Sequence, residues 1–275
     1  MDTPLAPGLY IVATPIGNLG DITLRAVETL RGVSAIACED TRVTGKLLHH
    51  LGIKQRLIRY DDHASEETRD YVLGLAAQGA VALVSDAGTP LIADPGFKLV
   101  RLARERGIAV TSLPGPSAAI MAITLSGIAS DRFLFAGFLP SKDKARRDAL
   151  AELAAIPSTL ILYETAPRLC DTLGAIADIL PGREVAVARE LTKKFEECRT
   201  GSPEELIAHY RENPPKGEIA LVIAPPIAAA PEEHDVDALL TDALTTLKAS
   251  QAAAHVAKAT GLDRKMLYAR AMELK

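Results

Sequence analysis

Ala82–Gly96 reads ALVSDAGTPLIADPG, an apolar strand that runs straight into a glycine- and proline-rich loop and on toward a helix. Two other stretches repeat the design: Leu9–Asp21 (LYIVATPIGNLGD) and Val110–Ile120 (VTSLPGPSAAI). In a parallel α/β sheet such loops gather at the carboxyl edge of the strands, where ligands bind. Glycine lets backbone approach a ligand closely, and proline stiffens the loop before the ligand arrives. Three loops of this kind from one edge imply a cleft for a flat, mostly uncharged small molecule. Tight turns that merely join packed elements are the plainer alternative for any one of them.

Outward from these loops, short β-rich runs alternate with helical stretches. Strands are expected at Leu9–Ala13, Ala35–Cys38, Arg56–Arg59, Val81–Ser85 and Ala109–Ser112, with helices at Leu24–Arg31, Thr44–His50, Glu66–Gln78 and Pro95–Arg106. This alternation implies right-handed crossovers and a largely parallel sheet. Asp94-Pro95 has the form of a helix cap followed by proline at the first helical position. A second series begins near Phe133, with strands expected at Phe133–Phe138, Thr159–Tyr163, Glu184–Arg189, Phe195–Thr200 and Glu218–Ala224. Its helices would cover Asp143–Ala155, Arg168–Leu180 and Pro203–Arg211, the last opened by a capping box at Ser202-Pro203-Glu204-Glu205. Two of its strands follow each other directly, so mixed pairing is expected, and the charged ELTKKFEECRTG between them should stand off the sheet.

Pro225–Asp235 (PPIAAAPEEHD) reads as a linker. Beyond it the chain is helical, with helix-turn-helix shape: a small-residue helix ends at Gly261, Asp263 caps the next, and Arg264, Lys265, Tyr268 and Arg270 decorate that helix. The expected organisation is therefore an α/β domain at 1–128, a second at 129–225, a linker at 226–235 and a small helical domain at 236–275.

At 275 residues, 48% of them hydrophobic and 24% charged, the chain can build such cores. A net charge of −4 advertises no overall basic field, although a local patch suffices for nucleic acid. Cys38, Cys170 and Cys198 are odd in number and show no metal spacing, which suits a reduced cytoplasmic protein without structural zinc. The start MDTPLAPG lacks the features of a secretory signal, and the apolar runs are too short to span a membrane. Neither membrane nor metal is expected as a partner. No GxGxxG, GxxxxGK[ST] or GxSxG occurs, and no histidine spacing suits a metal. Dehydrogenases, kinases, zinc hydrolases and serine hydrolases all lose ground.

The three loops do not stand alone. With EDTRVTGKLL (Glu39–Leu48), YDDHASEET (Tyr60–Thr68), FLFAGFLPSK (Phe133–Lys142), YETAPRL (Tyr163–Leu169), AVARELTKKFEE (Ala186–Glu197) and GEIALVI (Gly217–Ile223), the chain resembles the bacterial 16S ribosomal RNA cytidine-2′-O-methyltransferases of the tetrapyrrole-methylase fold group. The resemblance covers residues 8–224, and the helical end resembles the terminal domain that many members carry. It implies two α/β domains of the tetrapyrrole-methylase type with S-adenosyl-L-methionine folded between them. Carried over by position, the donor would meet Ile16 in the first loop, Ala87, Gly88, Thr89 and Ile92 in the second, and Gly115, Pro116 and Ser117 in the third. Tyr163, Ala188, Ile219 and Ala220 would close the adenine side. A homodimer is implied as well, and 16S ribosomal RNA or the small ribosomal subunit as substrate.

On the acceptor side, a ribose hydroxyl is a weak acid, so transfer benefits from a nearby base or a well-held geometry. Asp21, Glu39, Asp40, Asp94 and Glu190 are the carboxylate candidates, although Asp21 and Asp94 also suit helix caps. Glu39 and Asp40 come first because they end a strand just before Arg42, which can hold a phosphate bidentately. RNA contacts are expected from Lys46, Lys142, Arg189, Lys193 and Lys194, with Lys144, Arg146 and Arg147 as further cations and Phe138 and Phe195 as stacking faces. Two other functions fit less of the chain: tetrapyrrole methylation, whose first loop typically reads GxGPGDP where this chain has ATPIGNLGD, and a non-catalytic nucleic-acid-binding regulator led by the helix-turn-helix.

Overall fold

The inner strands of the first half carry almost nothing but alanine, valine, leucine and isoleucine, and they are buried on both faces, as a parallel sheet demands. In chain order this half runs β1 (Gly8–Val12), α1 (Leu24–Gly32), β2 (Ala35–Cys38), α2 (Thr41–His50), β3 (Leu57–Arg59), α3 (Glu66–Gln78), β4 (Ala80–Val84), α4 (Phe97–Glu105) and β5 (Val110–Leu113). The computed structural model describes residues 4–226, 236–260 and 262–274. The first sheet has the order β3-β2-β4-β1-β5 and every pairing in it is parallel. Leu30 and Leu48 of α1 and α2 pack on one face, and Leu73 and Leu99 of α3 and α4 on the other.

The second half runs α5 (Ala118–Ser126), β6 (Phe133–Phe138), α6 (Asp143–Ala154), β7 (Thr159–Thr165), α7 (Leu169–Ile179), β8 (Val185–Arg189), β9 (Glu197–Gly201), α8 (Pro203–Glu212) and β10 (Glu218–Ile223). Its sheet, β6-β7-β10-β8-β9, is mixed: β6–β7 is parallel and the other pairings are antiparallel. Leu150, Leu173 and Leu206 bury one face under α6, α7 and α8. Helix α5 follows the last strand of the first sheet, yet it packs Ala119, Ala122 and Ile123 on the opposite face of the second. The capping box at Ser202 is formed, with Glu205 bonding back to the Ser202 N–H.

A separate unit holds α9 (Val236–Leu244), α10 (Ala249–Thr260) and α11 (Arg264–Glu273) around Leu240, Val256 and Leu267. Asp263 caps α11, its Oδ1 accepting from the N–H groups of Lys265 and Met266 at 2.7 and 3.0 Å. Residues 227–235 of the expected linker and Gly261 lie outside the described residues. No helix among the described residues is long and apolar enough to cross a membrane.

Three local expectations are corrected. Helix α2 begins at Thr41, a turn before Thr44, because Asp40 caps it by accepting from the Arg42 N–H at 2.8 Å. Helix α4 begins at Phe97 after Gly96 (φ 133°), so Asp94-Pro95 is loop and Asp94 caps nothing. The segment after β8 does not simply stand off the sheet: Leu191 is buried in the core beside α5, while Phe195 is exposed.

Candidate functional site

Sheet order explains why the loops meet. Strands β4, β1 and β5 are neighbours, so the loops after them leave one edge side by side, with Glu39 following β2 next along. Hydrogen bonds stitch them together. Thr14 and Gly88 exchange N–H···O bonds of 2.9 and 3.0 Å, and the Thr14 hydroxyl donates to the Ser85 carbonyl at 3.1 Å. The Thr89 hydroxyl donates to the Pro116 carbonyl at 2.9 Å. A Cβ at Gly115 would sit 2.6 Å from that of Ala13, so only glycine lets the third loop lie this close to the first.

The facing wall is made of side chains. Tyr163, Ala220 and Ala188 are in register across β7, β10 and β8, and the two alanines leave open the space that the tyrosine borders. The Tyr163 hydroxyl accepts from the Ala119 N–H at 3.2 Å, which ties this wall to the start of α5. Between the walls is a cavity of about 290 Å³. A second cavity of about 680 Å³ shares Glu39 and Asp86 with it and is bordered by Arg42, Arg59, Asp61 and Asp62.

The first cavity is rich in carboxylates. Glu39, Asp86, Asp94, Glu190 and Glu218 border it, and Lys193, the one basic residue in its lining, bonds Glu190 at 3.0 Å. Burial, followed by repulsion from Glu39, Asp86 and Glu218, pushes the Asp94 carboxyl up to about 6, with the Ser85 hydroxyl opposing. Burial raises Glu39 too, reinforced by Asp86, Asp62, Asp61 and Asp40. The Arg42 side chain and N–H instead hold Asp40 well below the usual carboxylate range. Non-glycine residues at positive φ cluster here, Ala93 at 62° and Glu190 at 50° among them, as strained backbone does at binding sites.

Of the residues expected to hold the donor, Ile16, Ala87, Gly88, Thr89, Ile92, Ser117, Tyr163, Ala188, Ile219 and Ala220 line the first cavity. Gly115 and Pro116 do not; they back the wall through Ala13 and Thr89. Glu39 borders both cavities, whereas Asp40 and Arg42 border only the second and are ion-paired to each other. Asp21 lines neither, and Asn18 and Thr23 supply the caps beside it. Asp86 was missed: it lies within the second of the three loops, but nothing local marks its role until the fold sets it beside Glu39, where its Oδ1 accepts from the Asp40 N–H at 3.1 Å.

The expected cations are spread out. Lys46, Lys142 and Lys194 are exposed, and the Lys194 ammonium lies 5.6 Å from the Phe195 ring centre. Arg189 is half-buried and ion-paired with Glu197. Arg146 is buried, and both it and Arg147 bond Asp143 within α6. Among the described residues no group of three or more His, Cys, Asp or Glu is placed to hold a metal ion.

The model for tetrapyrrole (corrin/porphyrin) methylases matches residues 8–207, and that for the RsmI C-terminal HTH domain matches residues 229–275. A protein of Erythrobacter litoralis called ribosomal RNA small subunit methyltransferase I is 64% identical, with 99% of this chain and 97% of the relative aligned. Proteins of the same name from Mesorhizobium japonicum and Escherichia coli O157:H7 are 50% and 49% identical, aligned over 99% and 96% of this chain and 94% of each relative. Among solved structures, the uroporphyrin-III-C-methyltransferase of Thermus thermophilus superposes with a TM-score of 0.55 at 21% identity, covering 79% of this chain and 94% of its own. The cobalt precorrin-4 methyltransferase CbiF gives 0.57 at 16%, covering 78% and 94%, and these two likenesses speak for the fold alone. The expectation of a non-catalytic regulator falls away before such relatives. The chain is a methyltransferase, and it belongs to the tetrapyrrole (corrin/porphyrin) methylase family, in the group of its ribosomal RNA small subunit methyltransferase I relatives.

Proposed function

We propose that this chain methylates the ribose 2′-oxygen of a cytidine in the decoding region of 16S ribosomal RNA, with S-adenosyl-L-methionine as donor. One observation carries the proposal: a peptide-walled cavity ringed by carboxylates adjoins a second cavity that reaches Arg42 and Arg59, and Glu39 stands at their boundary. The lining fits the donor. A sulfonium with an α-amino group is cationic and carries no phosphate, so it suits carboxylates and bare peptide groups and needs no glycine-rich phosphate loop. Peptide groups of Ala87, Gly88 and Thr89 and the apolar surfaces of Ile16, Ile92, Ala188, Ile219 and Ala220 would hold it, with Tyr163 at the rim. When bound, S-adenosyl-L-methionine supplies an electrophilic methyl group.

The remaining work falls to the chain. Glu39, with its proton affinity raised, takes the proton of the attacking hydroxyl. Asp86 fixes the backbone beside it by accepting from the Asp40 N–H. Asp40 serves as helix cap and holds Arg42, whose exposed guanidinium meets an RNA phosphate in the second cavity. Lys46, Lys142 and Lys194 contribute local positive charge to an acidic protein, and Lys193, ion-paired with Glu190, contributes less. Arg189 is committed to Glu197 and contributes less. The protein works as a homodimer and should sediment at twice the mass of one chain.

The deciding experiment incubates the protein with methyl-labelled donor and small subunits from cells lacking it, then digests the RNA to nucleosides. Label in 2′-O-methylcytidine is the expected result. Label on a base, or none in RNA, rejects the assignment.

A further inference from the structure

Phe138 sits at the cavity by way of an irregularity in its strand. Along β6, Leu134 and Ala136 pack toward the core under α6 and α7, and Phe135 packs toward Tyr163 and α5. Strict alternation would send Phe138 to the side of Leu134 and Ala136. A bulge intervenes: Phe135 pairs with Ile161, but Gly137 pairs with Leu162 and Phe138 with Tyr163, so one extra residue is taken up before Gly137 (φ 66°). Phe138 thereby joins Phe135 against the Tyr163 ring, at 5.6 and 4.8 Å between centres, and borders the cavity.

The loop that follows is clamped from below. Glu164 is only 1% exposed, and its carboxylate accepts from the Thr172 hydroxyl at 2.6 Å and the Thr165 N–H at 2.8 Å. It is ion-paired to Arg168 Nε at 3.2 Å. The Arg168 guanidinium in turn donates to the carbonyls of Leu139 and Pro140 at 2.7 and 3.2 Å. A buried charge pair costs desolvation and is weak evidence of stability in itself. Here it fixes the two peptides that follow Phe138. Glu164, Thr165 and Arg168 of the YETAPR stretch, which line neither cavity, take part in this clamp.

We propose that Phe138 is the stacking platform for the acceptor base and that Arg168, held by Glu164, is the residue that positions it. This inference rests on the RNA reading given above. Phe138 lies on the edge strand of its sheet and keeps 49% of its surface open to solvent while bordering the cavity. A group enclosed with the donor would not leave so much ring exposed; a ring arriving from solvent after the donor would use it. A single-stranded base presents such a ring, and stacking on an aromatic side chain is the usual way proteins hold one.

Phe138→Leu keeps an apolar side chain but removes the ring. It should raise the KM for small subunits about tenfold, with donor affinity by calorimetry within twofold of wild type. Phe138→Tyr should restore the KM. Arg168→Lys cannot hold both carbonyls and the carboxylate, and should raise the same KM about threefold at nearly unchanged kcat. A normal KM in Phe138→Leu, or a loss confined to donor affinity, overturns the stacking role. Normal KM in Arg168→Lys with lowered thermal stability overturns the positioning role. Should the wild-type protein itself leave small subunits unlabelled, the RNA reading fails first, and the inference with it.

Discussion

The two walls of the cavity are built in opposite ways. The first comes from a parallel sheet whose carboxyl ends all face one edge, so that neighbouring strands deliver their loops together and the wall is mostly main chain. The second comes from strands that alternate in direction, with few loops at any one place, so side chains in register have to do the lining: Tyr163, Ala220 and Ala188. A backbone wall is rigid and specific because it cannot be replaced piecemeal. A side-chain wall can be tuned one residue at a time. Damage to the first should therefore be close to all-or-none, and damage to the second graded.

The largest effect is expected from Thr89→Arg. Thr89 borders the cavity of about 290 Å³, and its hydroxyl bonds the Pro116 carbonyl. An arginine there fills donor space and adds a cation against a cationic ligand. Donor affinity by calorimetry should fall at least about 100-fold, while the lost hydrogen bond costs only about 1 kcal/mol of stability. Unchanged affinity would break the assignment of this wall to the donor.

Next comes Glu39→Gln, which tests the place where the first wall meets the acceptor. Methyl transfer at saturating substrates should drop about 100-fold, with donor affinity within threefold. Measured single-turnover rates equal to wild type would mean that geometry alone activates the hydroxyl and that Glu39 is a bystander.

The strands and the meeting of the loops were legible because burial on both faces writes itself as apolar runs and because glycine and proline mark ligand-facing turns. Ala35–Cys38, Glu66–Gln78 and Phe133–Phe138 appear in the structure with the bounds that the sequence suggests. What escaped was chemistry that depends on neighbours distant in sequence. Asp94-Pro95 has the local grammar of a helix cap, but Gly96 at φ 133° delays the helix and turns Asp94 toward the cavity instead. Asp86 sits inside the opening loop motif but carries no local sign that Glu39 and Asp40 lie beside it, and Arg189 looks like a free cation until β9 brings Glu197 beside it. The bulge before Gly137 was likewise not read, although a glycine inside the strand FLFAGF is the kind of residue that marks one.

Asp94→Asn sharpens the electrostatic side of the comparison, because the carboxylates of the first wall are crowded and partly desolvated. The Asp94 carboxyl titrates near 6 in the folded protein, against roughly 3.9 in an unfolded chain. The folded state thus holds its proton more tightly, and the stability this confers is full below about pH 4 and lost as the pH rises through 6. Removing the charge should raise stability at pH 7.5 by about 1–2 kcal/mol once solvent screening is allowed for, with no gain at pH 4. Denaturant midpoints at the two pH values check the sign; a gain at pH 4 as large as that at 7.5 would trace the effect to packing and not to charge.

Tyr163→Phe should have the smallest effect, as a graded wall requires. The hydroxyl accepts from the Ala119 N–H in the first turn of α5, and burial keeps it in its neutral form. Its removal leaves that N–H without its partner and costs about 1 kcal/mol. The ring remains, with its edge contacts to Phe135 and Phe138, so donor affinity should fall no more than about threefold. The same α5 packs on β7, β8 and β10 and starts where the third loop ends, so the hydroxyl is one point at which the two walls are joined. A loss of donor affinity as large as that of Thr89→Arg would show that the side-chain wall holds the backbone wall in place, and the division between them would have to be abandoned.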